Sequence, residues 1–146
     1  ARRAIIRVLG LAGPGYELAV IRQLKSGDEP TGREALRALT RMGTPQAAAA
    51  VATQIEDGAD WARPAAEEAL WHFPQELAMA QLRKLLGRRE FVLRHPQLAT
   101  RLMDRATGAN VDGLAGALEG LVSLRYRFWN THLVRVAHKA QQLLQR

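Results

Sequence analysis

Cysteine is absent from the 146 residues, which excludes a disulfide framework and any thiolate metal site. It also suits a reducing compartment, so the chain reads as cytoplasmic. No apolar run approaches the roughly 18 residues that a membrane-spanning helix needs, and no span is expected. Aromatic residues make up only 5% of the chain while alanine is abundant. Strands are built largely from β-branched and aromatic residues, so this balance points to closely packed helices. Lysine is nearly missing too, with arginine supplying all but three of the 21 basic residues. The chain opens on Ala1-Arg2-Arg3, without an initiator Met or an apolar targeting segment and already in a helical pattern. It reads as a piece of a longer protein.

The catalytic signatures are also missing. There is no Gly-x-Ser-x-Gly, no P-loop and no Gly-x-Gly-x-x-Gly after a strand. The histidines are His72, His95, His132 and His138. They show no His-Glu pair at the spacing that helical metal-dependent hydroxylases or zinc proteases use. Glu67 and Glu68 are adjacent on a helix and splay about 100° apart, a poor arrangement for paired carboxylates. The expectation is a protein that is not an enzyme, with no cofactor and no metal.

What is present is a repeat. Gly32, Ala35, Ala38, Leu39, Met42, Gly43 and Ile55 recur 31 positions later as Arg63, Ala66, Ala69, Leu70, Phe73, Pro74 and Leu86. Two helix-length apolar patterns per period are the mark of a helical-hairpin solenoid, in which each unit buries its apolar face only by stacking on neighbours. An earlier, looser copy has Ala4, Ile5, Val8 and Leu9 on one face and stops at Gly10. After the turn Leu11-Ala12-Gly13-Pro14-Gly15 it continues with Leu18, Ile21 and Leu24. Pro30 opens the next helix, Thr44-Pro45 supplies an N-cap and a first helical residue, and Asp60 supplies a further N-cap.

Beyond Gly87 the register loosens. Phe91 to Met103 keeps helical spacing, with Pro96 marking a bend or a start near His95. Thr107-Gly108-Ala109-Asn110 is a loop. Val111 to Leu124 turns Leu114, Ala117, Leu118 and Leu121 inward, while Gly113, Gly116 and Gly120 form a small-residue strip suited to close helix approach. Asn130-Thr131 caps a last amphipathic helix, a candidate for self-association. The architecture is a single all-α domain of nine helices. Its units span about 1–28, 29–58, 59–87 and 88–125, with a capping helix over 130–146.

The unit Arg63-Pro64-Ala65-Ala66-Glu67-Glu68-Ala69-Leu70-Trp71-His72-Phe73-Pro74 resembles the first helix of the short bacterial HEAT-like repeats. These are often named after the phycobilisome lyases in which they also occur. Ala35, Ala38, Leu39, Met42, Gly43 and Pro45 match the same pattern, with Gly32 standing where Arg is expected. The resemblance is strongest over residues 1–87. It implies a right-handed α-solenoid of about four to five hairpins whose concave face is a binding surface.

The net charge of +7 falls entirely on residues 74–146, which directs attention to anionic partners. Two constellations stand out. Arg33, Arg37 and Arg41 stack along one helix face, with nothing in the sequence neutralising them locally. Arg83, Lys84, Arg88, Arg89, Arg94, Arg101 and Arg105 form a basic run that could track a phosphate backbone. Arg125-Tyr126-Arg127-Phe128-Trp129 adds an aromatic–guanidinium cluster, for stacking or as a plug that anchors the last helix. Trp61 and Trp71 read as packing between repeats. The leading reading is a protein-binding scaffold. The alternatives are a DNA-binding solenoid in the style of alkylpurine DNA glycosylases, using residues 83–105, and a bilin lyase subunit.

Overall fold

The computed structural model describes residues 2–26, 28–106, 112–127 and 129–145. Among these there are ten α-helices, two short 3-10 segments and no strand. The chain divides into two compact units, Ala1–Gln81 and Leu82–Arg146. Helix α6 (Gln75–Gly87) runs through the division.

The first unit holds α1 (Arg2–Ala12), α2 (Glu17–Ser26), α3 (Glu29–Met42), α4 (Pro45–Asp57) and α5 (Ala62–Leu70). Helices α1, α3 and α5 lie side by side, while α2 and α4 pack on α3 from behind. The boundaries follow from local chemistry. Pro30 and Pro45 sit in the first turns of α3 and α4, where a missing N–H costs nothing. The Thr44 hydroxyl caps α4 by accepting from the Ala47 amide at 3.2 Å. Gly43, left-handed at φ 62°, ends α3 and donates its amide to the Leu39 carbonyl. The core is narrow because its residues are small. Ala35, Ala38, Ala47, Ala48 and Ala66 are all fully buried alongside Leu39, Val51, Ile55 and Leu70.

Three boundaries and one buried face differ from expectation. Helix α1 passes through Gly10 to Ala12; the helix stops at the Gly13-Pro14-Gly15 turn. At Gly10 a Cβ would stand 2.9 Å from the Ala38 Cβ, so the glycine lets α1 lie flush on α3. The buried side of α1 is Ile6 and Gly10, whereas Ile5 and Val8 are 58% and 63% exposed, because α3 covers α1 on one side only. The cap of α5 is Trp61 and not Asp60, whose carboxylate turns instead toward Arg63 at 3.9 Å. Helix α5 ends at Leu70, three residues short of Phe73, in a turn over 71–73.

The second unit contains α7 (Arg89–Arg94), α8 (Pro96–Arg105), α9 (Ala115–Val122) and α10 (Thr131–Leu144), with 3-10 segments at Asp112–Leu114 and Ser123–Tyr126. Proline disfavours helical geometry in the residue before it. His95, at φ −131° and ψ 57°, duly separates α7 from α8 and gives ten helices where nine were expected. Asn130 caps α10 by accepting from the His132 and Leu133 amides. Leu133, Val136, Ala137, Ala140 and Leu143 are buried, and α10 packs on α8 and α9. The apolar face expected to serve self-association is therefore already covered. A Cβ at Gly113, Gly116 or Gly120 would meet nothing within 4 Å, so no helix among the described residues packs on this strip. The loop expected over residues 107–110 lies outside the described residues. No helix among them is long and apolar enough to cross a membrane.

A candidate binding face on helices α1, α3 and α5

Helix α3 buries Ala35, Leu36, Ala38 and Leu39 and so turns Arg33, Arg37 and Arg41 outward. Residues four apart on a helix are surface neighbours, which makes the three guanidiniums a continuous stripe. The sequence suggested that nothing neutralises this stripe; the structure corrects that. Glu29, one turn before Arg33, accepts from its Nε at 2.9 Å and its Nη2 at 2.8 Å. Arg33 also lies over the Trp61 ring, 5.8 Å from its centroid. Glu34 is only 4% exposed. It meets Arg7 Nε of α1 at 3.2 Å through Oε1, and Arg37 Nη1 at 3.4 Å through Oε2. A buried carboxylate is tolerable only when such partners reach it.

The three arginines are therefore not equivalent. Arg33 is tied down by Glu29 and Trp61. Arg37 is engaged through one nitrogen, at a long distance, with most of its side chain in solvent. Arg41 is exposed and has no ion-pair partner among the described residues.

The stripe borders open clefts. One, of about 460 Å³, lies between α3 and α5. Arg33, Arg37 and Arg41 form one wall, Glu68 and His72 the other, and Leu36, Ala65 and Ala69 lie between them. The Thr40 hydroxyl at its edge is spent on the Leu36 carbonyl at 2.8 Å. On the opposite wall His72 Nε2 stands 3.7 Å from Glu68 Oε1. Two further clefts, of about 310 and 640 Å³, continue along α1 and α3; Arg7, Glu34 and Arg37 line both. Arg37 borders all three. Small-ligand and peptide sites commonly combine such a volume and an apolar floor with a few convergent polar groups.

The other residues singled out from the sequence belong to the second unit. Arg83, Lys84, Arg88, Arg89, Arg94, Arg101 and Arg105 are exposed. Arg94 pairs with Glu90 at 3.8 Å, and Arg88, Arg101 and Arg105 are likewise engaged within the chain. Arg125 donates to the Tyr126 hydroxyl at 2.9 Å and stacks on its ring. Arg127 is half-buried. Trp129 is 69% exposed, which rules it out as a core plug. Phe128 lies outside the described residues. Sequence reasoning missed Arg7, Glu34, Glu68 and His72 as parts of the face. The i,i+3 and i,i+4 spacings of Glu34 with Arg37 and of Glu68 with His72 were the available signal.

Residues 1–71 match the family model of HEAT repeats. No curated protein and no solved structure gives a match.

Proposed function

We propose that this chain, HEAT-like in its repeats over residues 1–71, is a non-enzymatic protein-binding module that holds its partner on the face of α1, α3 and α5. The observation that carries this reading is the cleft between α3 and α5, where an apolar strip of Leu36, Ala65 and Ala69 is flanked by charged walls. That combination buries apolar surface and fixes orientation, the two things peptide recognition requires. The reading is tested by selecting a phage-displayed random peptide library on the wild-type chain and on Ala69→Trp and Ala65→Trp variants. Each indole fills the cleft from a surface helix position, and circular dichroism confirms that each variant is folded. Peptides that bind the wild type and lose at least about tenfold in affinity on both variants are expected. Binding indifferent to both variants would remove the cleft from the function.

A second reading is nucleic-acid binding through the basic run of the second unit. It is favoured by the exposure of Arg83 and Arg89, neither of which has an ion-pair partner among the described residues. Phosphate contacts make affinity fall steeply with salt. Fluorescence anisotropy with duplex DNA at two salt concentrations, on wild type and on an Arg83→Gln/Arg89→Gln variant, decides it. Salt-insensitive or mutation-insensitive binding ends this reading.

A further inference from the structure

The cleft between α3 and α5 is electrically one-sided, and that asymmetry identifies its occupant. We infer that the partner presents an acidic segment, with a carboxylate held by Arg41 and Arg37 and a neighbouring apolar side chain seated on Leu36, Ala65 and Ala69. This inference rests on the protein-binding reading and names the partner's chemistry.

The assignment follows from which charges are already spent. Arg33 is held by Glu29 through two nitrogens and by the Trp61 ring, so it forms part of the wall. Arg37 shares only Nη1 with Glu34, at 3.4 Å, and its side chain is 66% exposed. Arg41 shares nothing among the described residues. A free guanidinium and a second engaged through one nitrogen only, one helical turn apart, can grip a single carboxylate from both sides, or two carboxylates spaced along an extended chain. From Arg33 to Arg41 the stripe covers about 12 Å, at about 1.5 Å per helical residue. An extended peptide covers that distance with about four residues.

The opposite wall argues against a polyanion. Glu68 lines the cleft across from the arginines, while Glu29 and Glu34 in the adjoining one are already paired with Arg33, Arg7 and Arg37. A phosphate backbone filling the cleft between α3 and α5 would run past Glu68, whereas a peptide can place its acidic residue on the α3 side alone. Glu68, already beside His72 at 3.7 Å, repels a second acidic group on its own side, which fixes the direction in which the segment lies. The apolar strip adds a requirement that inorganic phosphate and nucleic-acid backbone both fail, since neither has an apolar group to place there.

The test uses the peptide pool selected as above. It is synthesised with a rhodamine label and measured by anisotropy on wild type, Arg41→Glu and Arg41→Gln. Arg41 is exposed and unpaired, so these substitutions leave the fold intact, and melting curves check this. Enrichment of Asp and Glu beside Leu, Ile, Met or Phe is expected, with a loss of at least about tenfold on Arg41→Glu and a smaller loss on Arg41→Gln. Weakening between about 50 and 300 mM NaCl accompanies it. Peptides that depend on the cleft but show no acidic enrichment and no response at Arg41 would overturn this inference and leave the protein-binding reading standing. Absence of any cleft-dependent peptide would overturn both. Short single-stranded DNA that displaces the peptides and loses its affinity on Arg41→Glu would reassign the face to a polyanion.

Discussion

The Trp61 indole occupies the space above Gly32 so closely that a Cβ at Gly32 would lie 2.7 Å from Trp61 Cζ2. This explains the glycine at a repeat position that carries Arg63 one period later. The tryptophan, from the link between α4 and α5, replaces the side chain that α3 lacks and joins one hairpin to the next. Gly32→Val forces the indole out and with it the stacking of Arg33. A cost of about 1–3 kcal/mol is expected from overpacking, read as a lowered urea midpoint. Trp61→Ala in the same background makes room for the valine, so the double-mutant cycle yields a coupling energy well above zero. Additive losses would show that the two residues do not share this space.

Gly10 and Ala38 make the corresponding contact between α1 and α3. In an open helix Gly→Ala gains about 1 kcal/mol. At Gly10 the new methyl meets the Ala38 Cβ at 2.9 Å and its backbone Cα at 3.0 Å, and backbone cannot swing aside. Gly10→Ala is therefore expected to destabilise by about 1–3 kcal/mol, with Ala38→Gly restoring part of the loss. Thermal denaturation of the two single variants and the double variant measures it. A stabilised Gly10→Ala would mean that α1 stands further from α3 than this.

These two contacts mark where sequence stops being legible. The caps at Thr44-Pro45, Gly43 and Asn130 are local, each a residue meeting the backbone a turn away, and a reader of the sequence finds them. Proximity between helices is not local. Gly10 looks like a stop signal because glycine breaks helices in general, and nothing nearby announces that Ala38 requires it. The stripe Arg33, Arg37 and Arg41 follows directly from spacing. Its partial neutralisation by Glu29 and Glu34 was open to the same spacing argument, whereas the approach of Arg7 to Glu34 depends on α1 lying against α3, which no spacing within α3 reveals. The apolar side of α1 was misread because both of its sides are apolar, and only the position of α3 decides which one is covered.

Glu34 is buried while both of its partners are solvated, with side-chain exposures of 61% for Arg7 and 66% for Arg37. Removing the two ends of this interaction therefore has unequal effects. Glu34→Gln leaves two guanidiniums that water readily serves, and a loss of about 1 kcal/mol is expected. Arg7→Ala with Arg37→Ala strands a carboxylate in the interior and is expected to cost roughly 2–4 kcal/mol. Urea denaturation at neutral pH distinguishes them. Equal losses would show that Glu34 reaches water when its partners are gone.

The Glu17 carboxyl is held below its ordinary value, first by its own backbone amide and then by the Gly15 amide, which donates to it at 2.8 Å, and by the Thr44 hydroxyl. Partial desolvation opposes them. A carboxyl depressed in the folded state contributes stability above its unfolded value near 4.5 and loses it as pH falls through the folded value. Stability measured from about pH 6 downward should therefore fall less steeply in Glu17→Gln than in wild type. Parallel acid limbs for the two proteins would remove Glu17 from the linkage.

Arg37 borders all three clefts of the α1, α3 and α5 face, and a guanidinium has one position at a time. An anion that takes Arg37 in one cleft withdraws it from the other two. The three clefts therefore compete for one side chain whatever their combined volume. On the acidic-segment reading, one equivalent is expected to occupy the face, and a second meets a surface whose shared cation is already in use.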